Sequence, residues 1–184
     1  MSQVVFITGN QNKADQLAQL LGVELEHQKV SVDELQSTNL DEIVTHKVKQ
    51  AYEAIGKPVL VEDVSLGFEE LDGLPGPFIK FFIEQDNGLQ KTCNILDGFA
   101  NRRAVAACTF GYYDGQRLEL FHGNLGGEIT NEPRGISGYG WDAIFCPDGF
   151  SGKTSAELDA EQYELFYTQV KPFATLREFL NGLG

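Results

Sequence analysis

Cysteine is scarce. Cys93, Cys108 and Cys146 are too few and too widely spaced in 184 residues for a disulfide framework, and no C-x-x-C is present. They read as reduced, mostly buried thiols. A cysteine nucleophile has little support, because only His27, His46 and His122 could act as its base and none stands in a partner motif. Long apolar runs are missing too: those over residues 4–7 and 104–110 are strand-sized, so no segment reads as a membrane span. Met1-Ser2-Gln3 leads straight into the first of these runs with no basic, apolar leader, and a cytoplasmic location is expected. Basic charge is short as well. Fourteen Lys and Arg against 27 Asp and Glu give a formal charge of −13, a field that repels polyanions and argues against nucleic acid as a partner. A small anionic substrate remains open, provided local lysines or a divalent cation offset the carboxylates.

What is present fits one soluble domain. A chain of 184 residues buries roughly 70% of its unfolded surface, so it needs no structural metal. Val4-Val5-Phe6-Ile7 reads as a strand buried on both faces and stops at Thr8-Gly9-Asn10. From Lys13 apolar residues recur at helical spacing up to Gly22, a C-terminal stop. A strand is expected over residues 24–32. Asn39 then caps a helix with Ile43, Val44, Lys47, Val48, Ala51 and Ala54 on one face. Gly56-Lys57-Pro58 breaks it and launches Val59-Leu60-Val61, a strand expected to end at Glu62-Asp63. Strand, helix, strand, helix, strand makes an α/β unit whose post-strand loops gather at one sheet edge. Beyond it, short helices are expected over 78–85 and 94–100. A hairpin of 104–113 and 117–122 turns at Asp114-Gly115, a further strand spans 126–130, and helices span 155–165 and 175–180.

Three segments can carry chemistry. Thr8-Gly9-Asn10-Gln11-Asn12-Lys13 joins a buried strand to a helix N-terminus, where free backbone N–H groups favour an anion. Lysine in a first helical turn opposes the helix dipole unless an anion faces it, so Lys13 fits a phosphate; a plain capped turn with a solvated lysine is the alternative. Glu62-Asp63 offers hard oxygen ligands at the same sheet edge, suited to Mg²⁺, or simply solvated charges at a strand end. Gly138-Tyr139-Gly140-Trp141-Asp142 offers aromatic faces for a nucleobase and a carboxylate for ring N–H groups, or core anchors on a turn.

In order along the chain, these segments and Gly73-Leu74-Pro75-Gly76-Pro77-Phe78-Ile79-Lys80, Pro133-Arg134-Gly135, Phe145, Pro147-Asp148-Gly149 and Ala156-Glu157-Leu158 resemble the inosine triphosphate pyrophosphatase family. The Leu-Pro-Gly-Pro-aromatic-Ile-Lys form is closer to its eukaryotic branch. The resemblance implies a single α/β domain over residues 1–184. It has an elongated mixed central sheet flanked by helices, two lobes around a deep cleft, and a homodimer. It also implies Mg²⁺-dependent hydrolysis of nonstandard purine nucleoside triphosphates to the monophosphate and pyrophosphate. Thr8, Gly9, Asn10 and Lys13 would hold the triphosphate, with Lys13 and Asp63 catalytic. Glu34 and Asp63 would bind the metal, while Tyr139, Gly140, Trp141 and Asp142 would line the nucleoside pocket.

One departure stands out. The family's Ser-His-Arg triplet falls here on Tyr167-Thr168-Gln169, and its upstream lysine on Tyr163. Donors such as His and Arg favour the purine 6-oxo group, so their loss predicts an altered base preference. A nucleotide-binding homologue with weak or no catalysis is the rival reading.

Overall fold

The computed structural model describes residues 4–9, 11–22, 25–138 and 140–183. In chain order the elements open with β1 (Val5–Ile7), α1 (Gln11–Leu21), β2 (Glu26–Gln28), α2 (Leu40–Ile55), β3 (Val59–Phe68), β4 (Pro75–Gly76), α3 (Ile79–Ile83) and α4 (Gly88–Asn94). They close with β5 (Arg103–Tyr113), β6 (Leu118–Ile129), β7 (Phe145–Pro147), α5 (Ala160–Val170) and α6 (Phe173–Asn181). The described strands form one seven-stranded sheet in the order β2-β1-β3-β5-β6-β7, with β4 on β3. β1 runs parallel to β2 and β3, whereas β4 and β7 pair antiparallel with β3 and β6, so the sheet is mixed as expected.

The chain folds as two compact units. The first comprises Met1–Asp63, Cys108–His122 and Pro172–Gly184; the second comprises Val64–Ala107 and Gly123–Lys171. In the first, the alternation of β3 sorts its side chains. Val59 and Val61 join Val5 and Ile7 in a buried cluster under Val44, Val48 and Ala51 of α2. Leu60 and Glu62 lie on the other face, from which α1 approaches through Lys13. Asn39 caps α2 by accepting from the Asp41 N–H, and Gly56 ends it in a left-handed conformation at φ 70°. α6 closes this unit. Phe173 meets Phe110, and Phe179 meets Tyr112 and Phe121 while the Arg117 guanidinium sits 4.7 Å above its ring.

The second unit is built around Leu66, Phe68, Ile79, Cys93, Leu96, Ile129, Ile144, Phe145 and Phe166. Arg102 clips it together, donating to the carbonyls of Ile129, Cys93 and Thr130.

Several boundaries differ from the sequence expectation. β3 does not stop at the acidic pair but continues to Phe68, because its second half pairs with β4. The strands expected over 117–122 and 126–130 are one continuous β6. Among the described residues β2 covers Glu26–Gln28, short of residue 32, while residue 24 lies outside them. α4 ends at Asn94, where a helix was expected to begin, and residues 95–99 follow as i→i+3 turns, the last closed by the Phe99 N–H on the Leu96 carbonyl. The helix expected from 155 breaks because two capping boxes stand in a row: Thr154 with Glu157 starts a short 3₁₀ turn that ends at Leu158, and Asp159 with Gln162 starts α5.

Candidate active site

β1 and β3 pair in register Val5 with Val59 and Phe6 with Leu60. Continuing that register sets Ile7, the last residue of β1, opposite Val61 and brings Thr8 and Gly9 level with Glu62 and Asp63, so both carboxylates stand where the neighbouring strand gives way to the loop before α1. Consecutive strand residues face opposite sides, and each carboxylate meets a lysine from its own side. On one face, Lys13 in the first turn of α1 forms a salt bridge to Glu62 Oε2 at 3.0 Å. On the other, Lys47 of α2 donates to Asp63 Oδ2 and to the Glu62 carbonyl, each at 3.1 Å. The Cys108 thiol of β5 donates to Glu62 Oε1 at 3.6 Å.

Exposure separates the two pairs. The Glu62 side chain is 2% exposed, while Lys13, Lys47 and Asp63 lie between 27% and 29%, open enough to reach a solute. Thr8 donates its backbone N–H to the Gln28 carbonyl at 3.0 Å, which anchors the start of the loop, and Gly9 is exposed. Glu34 is exposed on the irregular segment before α2, whose Asp33 N–H is held by Gln50 of that helix at 2.7 Å. Among the described residues no three His, Cys, Asp or Glu side chains gather into a metal cage. The partly exposed Asp63 carboxylate and exposed Glu34 are nonetheless hard oxygen donors, the kind that Mg²⁺ takes in ones and twos beside substrate phosphates.

In the second unit Asp142 is buried and accepts from the Tyr163 hydroxyl of α5 at 3.0 Å. Gly138, at φ 79°, makes room for it: a Cβ there would lie 2.4 Å from Asp142 Oδ2. Trp141 is partly buried against the core of this unit, so it is part anchor and part surface. Tyr163 stacks on buried Tyr167, and the Lys171 ammonium lies 4.4 Å above the Tyr167 ring. Thr168 and Gln169 are exposed. Burial pushes the thiols of Cys93 and Cys146 up, away from the thiolate a nucleophile needs.

A sequence model of the Ham1 family matches residues 4–179. The chain belongs to the Ham1 family. Among its relatives, the inosine triphosphate pyrophosphatase of Scheffersomyces stipitis is 41% identical over 195 residues, covering 98% of both chains. That of Emericella nidulans is 41% identical over 186 residues, covering 98% of this chain and 97% of the relative. Among solved structures, the Staphylococcus aureus Ham1 protein superposes with a TM-score of 0.83 at 25% identity, covering 99% of this chain and all of that one.

Of the expected site residues, Lys13 and Asp63 both stand near the end of β1 in the first unit but on opposite faces of β3, Lys13 paired with Glu62 and Asp63 with Lys47. Asn10 and Tyr139 lie outside the described residues. Lys47 was missed as a site residue, because its spacing counts it with the buried face of α2. The signal was a lysine among Val44, Val48 and Ala51, a position that a helix fills with charge only when a partner waits there.

Proposed function

We propose that this chain is a nucleoside triphosphate pyrophosphatase that cleaves nonstandard purine nucleotides, such as inosine and xanthosine triphosphate, into the monophosphate and pyrophosphate. The observation that carries the reading is the double pairing of Lys13 with Glu62 and Lys47 with Asp63 where β1 ends. Paired with two carboxylates, the two ammonium groups bring the local charge to about zero in a protein of charge −13, so a polyphosphate meets less repulsion there, and a divalent cation adds the positive charge. Lys13, with the Thr8–Asn10 loop, holds the triphosphate, and Lys47 fixes the Asp63 carboxylate. Asp63 orients the water that attacks the α-phosphorus, so the α–β anhydride bond breaks and pyrophosphate leaves. A divalent cation, read as Mg²⁺, would be held by Asp63 and Glu34 and would offset charge on the phosphates. Gly140, Trp141 and Asp142 are assigned to the nucleoside, with Tyr139 beside them in sequence. The family reading further gives a homodimer acting in the cytoplasm.

Purified protein with Mg²⁺ and a panel of nucleoside triphosphates should release pyrophosphate, inosine triphosphate among the substrates. No release from any nucleotide would refute the proposal. Tyr167-Thr168-Gln169 favours a base preference shifted from inosine, and nucleotide affinity by calorimetry without turnover would favour the rival, a binding homologue.

A further inference from the structure

Glu62 has no part in the chemistry above, yet it is more deeply buried than the charged groups beside it. Its side chain is 2% exposed between Lys13 at 28% and Asp63 at 29%. A buried ion pair is weak support for a fold, since well-packed apolar residues do as well or better, and Leu60, on the same face two residues earlier, is fully buried. Packing alone therefore does not call for a carboxylate here. Both oxygens of Glu62 are engaged: Oε1 accepts from the Cys108 thiol at 3.6 Å and Oε2 meets the Lys13 ammonium at 3.0 Å. A carboxylate fixed at one oxygen and buried is a rigid anchor for whatever binds the other. Lysine carries its charge on a flexible four-carbon stem, so a rigid partner turns a wandering charge into a placed one. We infer that Glu62 is a positioning residue that fixes the Lys13 ammonium where β1 ends, in place for the triphosphate.

The inference rests on the reading that Lys13 holds the triphosphate, and two readouts keep the claims apart. One is the KM and kcat of pyrophosphate release from inosine triphosphate with Mg²⁺. The other is calorimetric affinity for inorganic tripolyphosphate, which needs no turnover. Glu62→Gln should raise both KM and the tripolyphosphate Kd roughly 10-fold while kcat changes less, as for lost ground-state binding. In a Lys13→Met background the same change should move neither by more than about 2-fold, because residues acting through one another are non-additive. A structural role would lower the melting temperature and leave the kinetic effects additive. Wild-type values in Glu62→Gln, or full additivity with Lys13→Met, overturn the inference. Should Glu62→Gln fail to fold, Glu62→Leu, matched to a buried site, is read the same way, and wild-type KM and Kd in it also overturn the inference. Tripolyphosphate binding with the non-additive pattern but no pyrophosphate release supports Glu62's role and sinks the enzymatic reading. Absence of both binding and release sinks the two together.

Discussion

Asp63 is held at 3.1 Å by Lys47, so asparagine in its place keeps the shape and one acceptor oxygen while removing the charge. Charge at this carboxylate matters most when the water attacks, and Asp63→Asn should lower kcat at least ~100-fold with triphosphate binding retained. Steady-state kinetics beside calorimetry reads both quantities, and a wild-type rate would remove Asp63 from the reaction. Lys13 and Asp63 stood out in the sequence because each breaks a local rule: a cation at a helix start and a charge close after a continuous apolar run. Lys47 was not, since its meaning depends on which face of β3 Asp63 takes, and that is settled by strand pairing rather than by neighbours in the chain. Asp142 was legible as a carboxylate beside aromatics, but its hydrogen bond to Tyr163, 21 residues later, was not.

Among elements, those whose ends are written by local chemistry came out as expected. β1, α1 and α2 have a continuous apolar run, a helical period, an asparagine cap and a glycine stop, and none of these needs tertiary context. β3 and β6 ran longer than expected because acidic residues and glycines, which locally read as punctuation, are tolerated where a partner strand supplies hydrogen bonds. The docking of α6 on β5 and β6 is likewise a product of packing, written in aromatic residues far apart in sequence. Phe110 on β5 is fully buried with its ring 6.2 Å from that of Phe173. Phe110→Ala should cost about 3–5 kcal/mol of stability by urea unfolding, the range for a large buried side chain truncated in a core. A loss below about 1 kcal/mol would mean that α6 is loosely seated.

For the molecule as a whole, acid is the expected weakness. The Arg103 guanidinium, bonded to both oxygens of Asp148 at 2.8 and 2.7 Å, holds that carboxyl below its ordinary range. Backbone N–H groups do the same, that of Thr154 for Glu157 and those of Arg117 and Gln116 for Asp114. A carboxyl that is more acidic in the folded state contributes stability above the ordinary carboxylate pKa of about 4, and the contribution is lost as pH falls through the folded value. The melting temperature should therefore drop below about pH 4, and Asp148→Asn should show a shallower drop than the unsubstituted protein. Asp148 and Glu157 are exposed and Asp114 is half-buried, so each effect is small, and equal acid sensitivity in the variant would remove the Arg103–Asp148 pair as a contributor.

The path of the chain has a consequence for biosynthesis. The first unit, which carries both lysine–carboxylate pairs, takes its last segment from Pro172 onward, after the whole of the second unit has been made. A nascent chain on the ribosome can display Lys13, Lys47, Glu62 and Asp63 long before α6 exists to cover Phe110 and Tyr112. A message cut short near residue 170 would thus yield a polypeptide that contains both lysine–carboxylate pairs and an uncovered aromatic face, a ready substrate for chaperones and proteases.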